Sequence, residues 1–365
     1  MMMTNRSHKP QTKFFRNNIY LMKVAMVLYL FVTFFFGCTK NKPELVPIRI
    51  GWQVAWAVEG QIAQCLKHTN ILELNGLKGE FMGFTYGAPL NEAALAGEID
   101  VGFVADQLAV SLIARGGKFK VVSRLMDFRA AIIAPAESDI NQVSDLKGKT
   151  LAIPFGSTTH RVVLGMLKDA GLDTSKDVHI INMDISEQAG IVLSGTKKQW
   201  QGNIDALASW DPNIAIFESK GLAKLLKSEL ALAIVYMSED FINKHPDSAK
   251  SFLKSLIESY YYYALNQRLA NQWYVEEARI QFDPSLLDIS ASFEPNLRAK
   301  NIKDIDINID DHHLAMMQEG AEFAFNIKLT SVIPNMKSAT NSFLLSKAMI
   351  INQEKPIDFS KIRVQ

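Results

Sequence analysis

Three hydroxyl residues in a row, Ser157, Thr158 and Thr159, follow the run Ile153-Pro154-Phe155-Gly156 and lead into His160. An apolar run, a glycine and then a helically spaced segment place these hydroxyls where a strand turns into a helix. The first N–H groups of a helix lack partners within it and carry partial positive charge, and Ser and Thr add donors of their own. A junction of this kind suits a small oxyanion and needs no lysine. It is not a phosphate-binding P-loop, because G-x-x-x-x-G-K-[ST] is absent. A cap for the helix would use one hydroxyl, and here there are three. Three more junctions share the pattern. Gly51-Trp52-Gln53-Val54-Ala55-Trp56 presents Gln53 and Trp56, and Val104-Ala105-Asp106-Gln107 presents Asp106, expected as an N-cap, and Gln107. Ala208-Ser209-Trp210-Asp211-Pro212 presents Trp210 and Asp211, the latter placed to cap a helix whose first residue is Pro212.

The elements that position these residues alternate. Strands are expected at 48–52, 81–86, 99–104 and 120–122, with helices at 59–67, 89–96 and 107–115 between them. The alternation restarts with strands at 130–134, 150–154, 178–183 and 204–209 and helices at 160–170, 187–193 and 212–219. Such βα repetition implies an α/β fold of two lobes, each a mostly parallel sheet flanked by helices. In such sheets ligands bind beyond the carboxyl ends of the strands. A long helix follows from His245-Pro246, with Ala249, Phe252, Leu253, Leu256, Ile257, Tyr260 and Ala264 on one stripe. The remaining tail reads as mostly helical and is expected to pack back on the first lobe. Four consecutive tyrosines, Tyr260 to Tyr263, point in all directions from a helix and read as structure.

Other candidate chemistry is weak. Ser157 and His160 lack an orienting third group and a G-x-S-x-G elbow. Cys65 lies on an apolar helical face three residues before His68 and reads as a buried hydrophobe. His312-His313 beside Asp310-Asp311 has no second cluster and reads as a solvated helix start, so no metal is expected. No cofactor is expected either.

Several segments then carry a resemblance. Ile50-Gly51-Trp52-Gln53, Ala93 to Gly102, Asp145-Leu146-Lys147-Gly148-Lys149, Gly156 to His160, Trp210-Asp211-Pro212 and Glu239 to Pro246 stand in the order seen in extracytoplasmic solute-binding proteins of ABC importers. The chain resembles the taurine, aliphatic sulfonate and nitrate branch of that group. The resemblance implies a two-lobed binding protein, not an enzyme, joined by two crossovers, here near 126–129 and 226–233. It implies a small anionic solute, a permease partner and a monomer. Ser157, Thr158 and Thr159 would hold the sulfonate, Trp210 would cover its carbon chain, and Gln53 and Trp56 would face it from the first lobe. Asp106 and Asp211 would take an ammonium, and Gln107 completes the expected ligand-binding set. Binding proteins for nitrate or for thiamine pyrimidine precursors, and an enzyme of the same fold, are the alternatives.

The amino terminus reads as an address. Arg6, Lys9, Lys13, Arg16 and Lys23 precede a fourteen-residue run, Val24 to Gly37, interrupted only by Thr33. That run is short for a membrane span and matches the apolar core of an export signal. Gly37-Cys38 resembles the lipobox of bacterial lipoproteins, with Cys38 the lipidated residue at the membrane. The expected organisation is a signal over 1–37, a tether over 38–47, lobe 1 over 48–128 and 233–365, and lobe 2 over 129–232. The chain of 365 residues is long enough for two lobes. Its 39 basic residues less the five in the leader leave 34 against 38 acidic ones. A mildly acidic body excludes nucleic acid as a partner. Two cysteines exclude a disulfide scaffold.

Overall fold

The computed structural model describes residues 44–279 and 283–365. The leader and Cys38 lie outside them. Eight strands form one sheet: β1 Val46–Gln53, β2 Leu77–Phe84, β3 Val101–Ala105, β4 Phe119–Pro135, β5 Thr150–Ile153, β6 His179–Asn182, β7 Ala206–Trp210 and β8 Ala223–Ser238. Their order is β2-β1-β3-β8-β4-β7-β5-β6. β1 runs parallel to β2 and β3, and β5 parallel to β6 and β7. The two long strands β4 and β8 stand antiparallel between those halves. β1 begins at Val46, so the expected tether gives its last two residues to the sheet.

The expected strands at 120–122 and 130–134 are one strand of 17 residues. The stretch between them was expected only as a crossover. It stays in the ladder, pairing Met126 with Ala233, Asp127 with Leu232, Phe128 with Ala231 and Arg129 with Leu230. The crossovers between halves are therefore hydrogen-bonded to each other. A register shift between Arg124 and Met126 marks the place.

The helices are α1 Glu59–His68, α2 Ile71–Leu74, α3 Gly87–Leu95, α4 Asp106–Ala114, α5 Thr158–Asp169, α6 Ile185–Leu193, α7 Asn213–Ser219 and α8 Glu239–Lys244. The tail adds α9 Pro246–Leu265, α10 Gln267–Ala278, α11 Leu287–Ala291, α12 Asp311–Asn326 and α13 Ser342–Glu354. They cover both faces of the sheet, as buried parallel strands require. Alternation sends neighbours to opposite faces: Ile132 joins Leu151, Ile153 and Val163 in one core, Ile133 joins Leu207 and Ile214 in another. Tyr260 and Tyr263 are buried and Tyr261 and Tyr262 half-buried, as helical spacing dictates.

The tail packs on the first half of the sheet, through α12 on α4 and α9 on α1. It also reaches the second half, where Phe323 meets the His160 ring edge-on at 5.5 Å. Beside the crossovers Glu294, fully buried, accepts from Arg124 at 2.6 and 3.2 Å and from the N–H groups of Asp127 and Asn296 at 2.9 and 3.0 Å.

Candidate functional site

The carboxyl ends of β1, β2, β3, β5, β6 and β7 all open on one cavity of about 200 Å³. Its walls come from both halves of the sheet, with Leu329 of the tail added. A volume of this order suits a small molecule and not a peptide.

Three helices point their N-termini into it: α3 through Gly87 and Ala88, α5 through Ser157 to Thr159, and α6 through Asp184 and Ile185. Their first N–H groups have no partner within the helix, so each end is a cluster of partial positive charge. Gly156 makes the turn into α5 possible, because φ is 76° there and only glycine takes that conformation freely.

The three hydroxyls divide their work. Ser157 caps α5, accepting from the His160 N–H at 3.0 Å and donating to the Pro154 carbonyl at 2.7 Å. Thr158 donates to Asp106 at 2.6 Å and accepts from the Gln107 N–H at 3.2 Å. Thr159, only 1% exposed, has no partner for its hydroxyl among the described residues. Trp210 repeats this: 9% exposed, with its indole N–H unpaired. Both line the cavity. Buried donors are almost always satisfied, so two unpaired donors on residues of one cavity wall point to an acceptor that the described residues do not supply.

Gln53 and Trp56 are also on the wall. Gln53 is held by its side chain on the Phe103 carbonyl at 3.2 Å and by its N–H on Glu59 at 2.8 Å. Burial pushes the Glu59 carboxyl well above the usual carboxylate range, against the lowering effect of the Gln53 N–H it accepts. Trp56 meets Phe128 edge to face at 4.8 Å, which ties the wall to the crossover. The intervening loop ends at Val58, whose φ of 72° is strained for a β-branched residue. The Gln61 side chain secures it by accepting the Val58 N–H at 2.7 Å.

Asp106, Gln107 and Asp211 are not brought to the wall. Asp106 is the first residue of α4 and not its cap, and its carboxylate is taken by Arg161 at 2.5 Å and by Thr158. Gln107 turns toward α12 and donates to the Gly320 carbonyl at 3.1 Å. Asp211 pairs with Arg129 through two bonds of 3.0 and 2.7 Å and accepts the Ala215 N–H at 3.2 Å. Both expected ammonium ligands are thus spent on buried arginines. The helix after Asp211 starts at Asn213, with Pro212 as its cap residue.

Residues the sequence reading passed over include Tyr86, Gly87, Ala88 and Asp184. Each stands at a strand end opening a helix, the same signal used elsewhere. Arg115 and Glu92 also line the wall, closed on each other at 2.5 and 3.2 Å.

His160 stays out of the cavity. Its Nδ1 accepts the Gly156 N–H at 3.2 Å and its ring stacks on Phe155 at 4.7 Å. Burial lowers its pKa to about 4. The unfolded chain therefore binds the proton first as pH falls below the ordinary histidine value. Stability is expected to drop between about pH 6.5 and 4, by on the order of 3 kcal/mol. Urea titrations of the native chain and of His160→Gln at pH 7 and 4.5 check this. An equal loss in both would remove His160 as the cause.

The two remaining clusters are engaged within the fold. Cys65 is fully buried, and His68 stacks on Trp273 at 4.9 Å. Asp310 caps α12 by accepting the His313 N–H at 2.9 Å, and no group of three metal-ligating side chains occurs among the described residues.

Strand exits from two half-sheets meeting at one cavity define a protein with the periplasmic-binding-protein fold. The sequence model of the NMT1/THI5-like family matches residues 75–270, over half of the chain, and the chain belongs to that family. The taurine-binding periplasmic protein of Escherichia coli is 26% identical over 61% of this chain and 68% of its own length. The alkanesulfonate-binding protein SsuA from Xanthomonas axonopodis pv. citri, bound to MOPS, superimposes with a TM-score of 0.67 at 20% identity, covering 82% of this chain and 99% of that one. The desulfurization enzyme DszB superimposes at 0.61 and 11% identity over 85% and 100%. The last two likenesses show the fold alone.

Proposed function

We propose that this chain is the solute-binding component of an ABC importer, capturing a small sulfonate in the cavity and delivering it to a permease. The observation that carries this is the pair of buried orphan donors, Thr159 Oγ1 and Trp210 Nε1, in a cavity ringed by three helix N-termini. An oxyanion there gains fixed donors that need no reorganisation, and such charge-assisted bonds are the strong ones. Trp56, Phe128, Leu108 and Leu329 supply apolar surface for the carbon chain. No covalent chemistry is part of this reading. Its nucleophile candidates are a helix-capping serine and a buried cysteine.

The two halves close on the solute by bending at 126–129 and 230–233. Contacts that bridge them bracket the cavity: Asp106 with Arg161 and Thr158, and the Ala57 N–H on the Asp211 carbonyl at 3.3 Å. Closure driven by ligand contacts made only in the closed form is a population shift the permease can read. The leader exports the chain and Cys38 holds it at the membrane.

A thermal-shift panel of taurine, alkanesulfonates, nitrate and a thiamine pyrimidine precursor tests the assignment. A ligand at a hundredfold excess over its Kd stabilises by about 2.7 kcal/mol, a shift of several degrees. Sulfonates are expected to raise Tm and the others to leave it unchanged. A flat response to every sulfonate ends the assignment.

A further inference from the structure

We infer that Asp184 supplies the counter-charge for a cationic group on the ligand, so that the cavity is built for an aminoalkanesulfonate and not for a plain alkanesulfonate. This rests on the sulfonate reading above and narrows it.

Three charged side chains line the cavity: Glu92, Arg115 and Asp184. Glu92 and Arg115 neutralise one another in their two-bonded pair. Asp184 is left over. It is half-buried, and its carboxylate makes no hydrogen bond or ion pair to any other described residue. It occupies the cap position of α6, where its carbonyl accepts the Glu187 N–H at 3.1 Å and its side chain bonds none of that helix's N–H groups. Its carboxylate is therefore not held by the fold, although it stands on the wall of the site.

The sheet order fixes where it stands. β7, β5 and β6 are neighbours, and their exits carry Trp210, then Ser157 to Thr159, then Asp184. Adjacent strands lie about 4.8 Å apart in the ladder, so Asp184 leaves the sheet beside the hydroxyl turn and next but one to the tryptophan. A sulfonate held by Thr159 and Trp210 would lie within a short carbon chain of this carboxylate. With a plain alkanesulfonate the site would contain two negative groups and no positive one between them. An amine at the far end of the ligand turns that repulsion into attraction. Asp106 and Asp211 cannot do this, because Arg161 and Arg129 occupy them.

The experiment is isothermal titration of the full chain and of Asp184→Asn with taurine and with ethanesulfonate, which differ only in the amine. The native chain is expected to bind taurine at least tenfold more tightly. In Asp184→Asn taurine affinity falls at least tenfold while ethanesulfonate affinity holds or rises. A melting curve of each ligand-free protein accompanies the titrations and is expected to be unchanged. Equal binding of the two ligands by the native chain, or a preference that survives in Asp184→Asn, overturns the role of Asp184 and leaves the sulfonate reading standing. Binding of neither ligand by the native chain overturns both.

Discussion

Replacing Glu294 by alanine is expected to destabilise the chain by about 3–5 kcal/mol, because it leaves the Arg124 guanidinium buried without its main partner. Arg124 is 6% exposed and Glu294 not at all. The carboxylate accepts from two guanidinium nitrogens and two backbone N–H groups, so few waters could replace it. Total stabilities are typically 5–15 kcal/mol, and a loss of this size takes a large share of them. The effect has a functional side as well. Asp127, whose N–H the carboxylate holds, is one of the crossover residues. Chemical denaturation of Glu294→Ala measures the loss. A change below about 1 kcal/mol would mean that Arg124 finds solvent or Asp127, which lies 2.8 Å away, and that the brace is dispensable.

The α/β alternation was legible because each element is local: Ile48-Arg49-Ile50 pairs as a strand, and the stripe from Ala249 to Tyr260 is buried on one helix. The strand character of the crossover was not. Nothing in Ser123 to Arg129 announces a strand, since its charges are satisfied by residues far along the chain, Glu294 for Arg124 and Asp211 for Arg129. The same blindness hid the partners of the aspartates. Asp106 and Asp211 stand at strand ends where a ligand's ammonium could reach, and only the three-dimensional position of Arg161 and Arg129 shows that they are occupied. The hydroxyl turn was legible as a donor cluster, yet its sequence could not say that Ser157 caps, Thr158 bridges to Asp106 and Thr159 alone stays unpaired.

That division of labour leads to the largest binding effect. Thr159→Val and Trp210→Phe each remove one unpaired donor and keep most of the side chain's shape. Where a sulfonate accepts these donors, each loss costs about 1.5–3 kcal/mol, or roughly 10- to 150-fold in Kd. The two together are expected to abolish measurable binding. Stability should move the other way. In the ligand-free chain both donors are buried and unsatisfied, and an apolar group of the same shape relieves that penalty. Ligand-free Thr159→Val is therefore expected to melt at the native temperature or above it. A residue that merely caps or packs loses stability on replacement, as Ser157→Ala should by about 1 kcal/mol. Titration and melting of the same three variants separate the cases. Undiminished sulfonate affinity in Thr159→Val and Trp210→Phe would mean that the orphan donors serve water, and that the helix N-termini alone hold the anion.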